Sequence, residues 1–482
     1  MKKLHTLVGP YIRSQQTTSK MMRHLFLALL PVIGFAFYKN GIDPYLQGKT
    51  NLYGMVQPLL FIGLGTISSY FIELFYTRFC LKKKGTELKE TIRNSFAFFP
   101  GLFLSLILPL NTPFWMLILG CFIATIIGKM IYGGFGYNLF NPALIGRLFI
   151  ITLYATVIAK QGGYFNPSEL DAVSSSTPLS NVALAEGIGS YATLVKPFGS
   201  LWDFFFGTIP GAVGETSAFC CLLGFFILTF TRTIKVKIPL SYIATVFVMT
   251  AIIGLSSGLG MWYPTFQILS GGLFFGAIFM ATDPVTTPVT PTGQVLFGIG
   301  AGILTVVFRY LTPMPEGVLT SILLMNLLVV ILDHIGVAVR GKVSWKAVTI
   351  LIPIISAILL SFSIRSTLQP KTETPTGDPN FKLLETKEQN GEKIYIASQK
   401  GNGGVIKAEL HFQNGKAISY IILEHHETPN YYALVEKENY INRLLEEQER
   451  LEQVDSVSGA TISSNALRKL LQNVKGVDHE EG

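Results

Sequence analysis

Along the first 363 positions, long apolar runs alternate with short polar or basic breaks; beyond that point the pattern changes period. The runs lie near 24–38, 56–77, 94–110, 113–132, 143–159, 217–231, 239–257, 265–282, 294–311, 317–337 and 346–363. Crossing about 30 Å of hydrocarbon takes roughly 20 apolar residues, so these are eleven candidate spans of a polytopic α-helical membrane protein. The first and sixth runs are short, and only Asn111-Thr112 separates the third from the fourth. Ten spans followed by an anchor form two sets of five. Odd-numbered sets, if related, must be inverted repeats, and the Asn141-Pro142 and Pro315-Glu316-Gly317 openings of spans five and ten echo each other. The apolar run after Arg23 continues into further spans, so it reads as a first helix and not as a cleaved signal. After a Pro/Thr/Gly linker at 369–379, alternation predicts strands at 393–398, 405–412 and 417–424, with Asn414-Gly415 as a hairpin turn. Helices follow over 440–453 and 463–474, completing a small C-terminal α+β domain.

Composition agrees with a membrane class: 49% of residues are hydrophobic and 14% charged. The net charge of +8 hides an asymmetry that decides topology. With the N-terminus inside, the inside breaks hold 19 Lys/Arg and the outside loops five (Lys39, Lys49, Lys160, Lys196 and Arg309). That split places the N-terminus in the cytoplasm and, after eleven spans, the C-terminal domain outside. The basic residues sit in loops and form no aromatic-interleaved stripe, which argues against a nucleic-acid partner. Four scattered cysteines and no CxxC or HExxH exclude a resident iron–sulfur or zinc motif. The glycines at 133–136 lie between membrane helices, not in a strand–helix unit, so they form no dinucleotide fingerprint.

One motif occurs twice in unlike surroundings. Asp171-Ala-Val-Ser174-Ser-Ser-Thr177 and Asp455-Ser-Val-Ser458-Gly459-Ala-Thr461 both read Asp-x-Val-Ser-x-x-Thr. No histidine lies near the first copy, so a hydrolase constellation is disfavoured. A single copy would read as a helix N-cap. Two copies on one side of the membrane suggest a shared task, such as presenting a threonine hydroxyl for esterification to phosphate. Small residues let a bulky group approach, and a following helix N-terminus suits an anion.

The second copy resembles the flavinylation motif of the FMN-binding domain in the G subunit of Rnf complexes and the C subunit of the Na+-translocating NADH:quinone reductase. Gly403-Gly404, Asn414-Gly415 and His426-Glu427-Thr428-Pro429 match that domain too, although Asn430-Tyr431-Tyr432 stands where a Gly-rich turn is usual. Residues 1–340 resemble the Rnf D subunit and the related quinone-reductase B subunit. The likeness is carried by Gly9-Pro-Tyr-Ile-Arg13, 133–147, 171–179, Gly214-Glu215-Thr216-Ser217 and 282–293. The resemblance implies a D–G fusion: a membrane domain at 1–340, an anchor helix at 341–368, the linker, and an FMN-binding domain at 380–482. It implies two FMN groups, bound covalently by phosphoester to Thr177 and Thr461, with Asp171, Ser174, Asp455, Ser458 and Gly459 shaping the sites. It further implies an ion-translocating ferredoxin:NAD+ oxidoreductase of the inner membrane, partner subunits with iron–sulfur clusters, and a flavin transferase for maturation.

Other polar residues in apolar surroundings are weaker candidates. Glu215 opens span six and reads as dipole compensation or as a flavin- or ion-related group. Asp283 and the threonines of 282–293 suggest a polar pocket; by resemblance, this region binds a non-covalent riboflavin or lines an ion path. Asn138, Asn141 and Arg147 read equally as turn and interface residues, as do Asp333 and His334. Three alternatives stay open: a B–C fusion of the quinone reductase, an extracytoplasmic flavin reductase without pumping, and a secondary transporter with a binding tail.

Overall fold

The computed structural model describes residues 17–160, 178–179, 189–215, 217–312, 317–341, 343–367, 380–389, 392–400, 404–413, 416–425, 439–448 and 461–481. The chain forms two compact units, 1–369 and 370–482.

The first unit is helical. Helix α1 (Thr18–Phe37) runs through a π-helical turn (Tyr38–Ile42) to Leu46. It is followed by α2 (Leu52–Phe79), α3 (Gly85–Ser95), α4 (Phe99–Ile107), α5 (Phe114–Phe122, extended by a π-helix at Ile123–Met130) and α6 (Pro142–Lys160). Then come α7 (Ala218–Phe230), α8 (Lys237–Ser256), α9 (Trp262–Leu269), α10 (Leu273–Met280), α11 (Pro291–Leu311), α12 (Val318–Ala338) and α13 (Val343–Thr367). Among the described residues, six helices are long and apolar enough to cross a membrane, or seven if α9 and α10, bent by 62°, count as one. Three of the expected spans, α5 with its π extension, α6 and α7, are shorter apolar helices. The run at 94–110 is not one rod either: it breaks at Phe96, which takes a left-handed conformation between polar α3 and apolar α4.

A common succession recurs in the two halves: a long helix (α2, α8), a broken pair (α3/α4, α9/α10), a third helix (α5, α11) and a fourth (α6, α12). Backbone inside an apolar bundle needs internal partners for its carbonyl and amide groups. At each break the third helix supplies a buried cation. Lys129 Nζ donates to Ser95 O at the end of α3, 2.7 Å away. Arg309 donates to Gln267 O and to Ser270 O, the latter at 3.1 Å, at the end of α9. A cation at a helix C-terminus is favoured by the dipole as well as by the hydrogen bonds. Lys129 is itself neutralised by Glu73 of α2 at 2.7 Å, with both side chains almost wholly buried.

Close approach of α2 and α4 depends on small residues. A Cβ on Gly101 would collide with Gly65 O and with Ser69 Cβ, so the two backbones meet where only glycine fits. Ser69 Oγ then reaches Thr125 Oγ1 at 2.9 Å and Ala97 O at 2.9 Å, tying α2 and α5 to the first break.

The second unit is a four-stranded antiparallel meander in the order β1 (Phe381–Gln389), β2 (Glu392–Lys400), β3 (Val405–Gln413), β4 (Lys416–His425). Sequence alternation missed β1, because Lys, Glu and Thr dominate its pattern and leave no apolar period. Helix α15 (Thr461–Glu481) covers the sheet; Leu467, Leu470, Leu471 and Val474 pack with Tyr395, Leu410 and Phe412 into a closed core. Helix α14 (Tyr440–Glu446) adds Tyr440 and Leu444 to that core.

Removing one partner of a buried ion pair leaves an uncompensated charge and costs about 3–5 kcal/mol. Lys129→Met is therefore expected to lower the thermal unfolding midpoint in detergent sharply, whereas Glu73→Leu combined with Lys129→Met recovers most of the loss. A double variant no more stable than the single one would contradict this account.

Candidate functional site

Glu215 is buried, not at a solvated helix start. Its Oε1 accepts from Arg147 Nη1 at 2.8 Å, with both side chains at or below 5% exposure. The carboxylate presses on the second break: a Cβ built on Gly272 would stand 2.7 Å from Glu215 Cδ. An anion thus sits beside the amino end of α10, while Arg309 holds the carbonyl end of α9. Both exposed ends of the broken helix meet the charge their dipoles favour. Arg147 is correspondingly not a topogenic loop charge; it neutralises Glu215.

Asp283 occupies the irregular segment after α10. Its carboxylate accepts from Thr286 Oγ1 at 3.0 Å, and Thr287 donates to its carbonyl at 2.8 Å. Further along, Asp333 of α12 accepts from the amides of Val289 and Thr290 and from Thr290 Oγ1, closing the start of α11. With its amide oriented to satisfy both neighbours, Asn326 bridges the segments, donating to Thr286 O and accepting from Asn141 N.

These segments border a partly open cleft. Phe96, Phe99, Phe103, Phe135 and Phe279 supply aromatic walls, and Lys129, Asn138, Asn141 and Asp283 supply polar groups. Three glycines in the left-handed region, Gly133, Gly134 and Gly136, turn the chain so that Asn138 and Asn141 follow directly. Flat apolar walls with amides, a cation and a carboxylate at the edge suit the rim of an aromatic ligand that carries donors and acceptors. A flavin ring has that character, and the chemistry of the lining agrees with the group that the resemblance at 282–293 implies.

Thr461 is the first residue of α15, so its backbone opens a helix of 21 residues. The helix is fixed to the sheet by its leucine stripe and by Tyr420, which donates to Leu467 O at 3.1 Å. An N-terminus of this kind favours an anionic ester. Asp171, Ser174, Thr177, Asp455, Ser458 and Gly459 lie outside the described residues. Pro178 and Leu179, next to Thr177, are described and buried.

Residues 5–341 match the NQR2, RnfD, RnfE family, and residues 401–475 match the FMN-binding domain. The chain belongs to the NQR2, RnfD, RnfE family. Family relatives include the D subunit of the proton-translocating ferredoxin:NAD(+) oxidoreductase complex of Clostridium ljungdahlii, 35% identical over 67% of this chain and 92% of the relative. The B subunit of the Na(+)-translocating NADH-quinone reductase of Chromohalobacter salexigens is 35% identical over 69% of this chain and 85% of its own. The D subunit of the Na(+)-translocating ferredoxin:NAD(+) oxidoreductase complex of Acetobacterium woodii is 31% identical over 66% and 89%.

Sequence reasoning missed Glu73, Lys129 and Arg309 as interior charges. The signal was available: each is an ionisable residue inside or at the edge of an apolar run.

Overpacking a filled interior costs about 1–3 kcal/mol. Gly272→Ala drives a methyl group into the Glu215 carboxylate and is expected to destabilise the protein by about that amount. Gly63→Ala, inside helix α2 with nothing within 4 Å of its Cβ, should cost nothing. Thermal unfolding in detergent ranks the two, and a reversed order would refute the packing account.

Proposed function

We propose that this protein is an electron-transfer subunit of an Rnf-type, ion-translocating ferredoxin:NAD+ oxidoreductase complex, carrying two FMN groups on phosphoesters to Thr177 and Thr461. The observation that carries the reading is the union, on one chain, of a D/B-type membrane domain with an FMN-binding domain. The membrane domain spans 1–340, an anchor helix 341–368, a linker 369–379 and the flavin domain 380–482.

The charge distribution supports a cytoplasmic N-terminus and an extracytoplasmic flavin domain. Lys39, Lys129, Arg147 and Arg309 are buried and satisfy internal groups, so they do not report topology. Setting them aside leaves seventeen inside cations against three outside, a sharper bias than the raw count. The recurring succession of helices supports ten spans in two inverted sets of five. A protein with this orientation presents Thr177 and Thr461 to the same aqueous side of the inner membrane.

Bound flavins accept and donate electrons one or two at a time; the protein's share is position and electrostatics. A covalent tether keeps the cofactor on a face where a free one would be lost. Asp455, Ser458 and Gly459, like Asp171 and Ser174, shape the attachment turns. A non-covalent riboflavin would be held in the cleft by its Phe side chains, with Asn138, Asn141, Lys129 and Asp283 as the polar groups available to it. Electrons enter and leave through partner subunits with iron–sulfur clusters, and a flavin transferase performs maturation. Equal identity to a quinone-reductase B subunit keeps a B–C fusion of that complex as the second reading; ferredoxin- against quinone-dependent turnover of the purified complex separates them.

Flavin fluorescence in a denaturing gel tests the attachment. With a flavin transferase co-expressed, Thr177→Ala and Thr461→Ala are each expected to retain about half the signal and the double variant none. A wild-type chain without signal would sink the covalent reading. Asn141→Ala is expected to reduce the flavin released by acid precipitation at least tenfold while the gel signal stays constant; unchanged release would remove the cleft as its site.

A further inference from the structure

Helix α2 carries two unlike faces. Gly65, Ser69, Glu73 and Thr77 lie on the buried one. On the other, Ile67, Phe71, Phe75 and Phe79 recur every fourth residue, each more than half exposed, and so form one ridge. The Phe75 and Phe79 ring centroids stand 4.3 Å apart. From residue 67 to residue 79 the helix rises about 18 Å, close to one leaflet of a hydrocarbon layer about 30 Å thick. The ridge ends in cations. Arg78 lies 5.8 Å from the Phe79 ring centroid, and the chain turns out of the helix through Lys82, whose φ of +55° is left-handed. Lys83 is paired with Glu87 at 3.3 Å and donates to Thr91 Oγ1. Lys82 and Lys84 are exposed, and among the described residues no carboxylate pairs with either. Residues 78–93 hold six Lys/Arg and two Glu, a net charge of +4.

From this surface we infer that the aromatic ridge of α2 and the basic turn that follows it form a binding site for an anionic phospholipid. A contiguous apolar ridge calls for an apolar occupant, and its length suits one acyl chain. Any lipid tail would meet that demand; the cations at its end select among headgroups. Attraction to an anionic lipid surface contributes about fivefold in binding for each Lys or Arg held near it. A zwitterionic headgroup brings its own ammonium and gains little from Lys82 and Lys84. Lysine side chains can lay their methylene stems along apolar surface while the ammonium reaches the phosphate level, so both can serve a lipid seated on Phe79. The phosphodiester then stands in for the carboxylate that the described fold does not give them. The selectivity belongs to one end of one helix, so it holds whichever way the protein faces and does not depend on flavin attachment.

Photolabelling of the full chain in phosphatidylcholine vesicles tests the site. The vesicles carry a tracer of either phosphatidylglycerol or phosphatidylcholine with a photoreactive acyl chain, and mass spectrometry locates the label. Peptides covering 67–84 are expected to take at least about threefold more label from the anionic tracer, the fivefold per-residue attraction being partly screened. High salt should lower that ratio further. Lys82→Gln combined with Lys84→Gln should bring it close to one. Lys235→Gln combined with Lys237→Gln removes the same charge at the start of α8 and should leave it unchanged. A wild-type ratio of one would overturn the site. An equal fall in both double variants would overturn it too, since net charge alone would then account for the preference. Label that marks the ridge in the chain alone and vanishes in the assembled complex would identify a subunit contact there and overturn a lipid as its occupant.

Discussion

Everything in the membrane unit depends on satisfying the backbone where helices break inside an apolar bundle. Water cannot serve the loose carbonyls and amides there, and each unsatisfied group would cost several kcal/mol. The chain answers with long basic side chains from a neighbouring helix, Lys129 at Ser95 and Arg309 at Gln267 and Ser270. A buried cation creates a second demand. Glu73 meets it for Lys129, while the partners described for Arg309 include the carbonyls of Gln267 and Ser270 and the side chain of Gln267. The breaks, the polar residues and the cleft are one problem solved in linked steps.

The same constraint explains why the cleft lies where it does. Lys129 caps α3 and also faces the aromatic walls, and the segment after α10 that carries Asp283 lies on the other side. Irregular backbone lets side chains from both halves converge, which continuous helices would keep apart. Asn326 makes the link explicit by bonding the backbone at both Asn141 and Thr286.

Much of this is legible in the amino-acid sequence alone. The apolar runs located the helices, and the Asn-Gly turn located the β3–β4 hairpin, whose strands pair as expected. Glu215 and Asp283 were visible as charges in apolar surroundings, though their partners were not: Arg147 is 68 positions from Glu215, and no local pattern encodes such a pairing. Helix breaks were harder still. Phe96, in left-handed conformation, carries no Gly or Pro signal, so the run at 94–110 reads as a single rod. Strand β1 hid for the opposite reason, since its charged, exposed side chains erase the alternation by which strands are read.

Helix α13, at Val343–Thr367, closes the first unit, and the same polypeptide continues from it into the unit that ends in α15. Two domains made as separate chains would meet by diffusion, in proportions set by expression and affinity. Joined through one helix, they are produced in a ratio of one to one and remain at a high local concentration even when their mutual affinity is weak. No membrane unit can then be left without its companion.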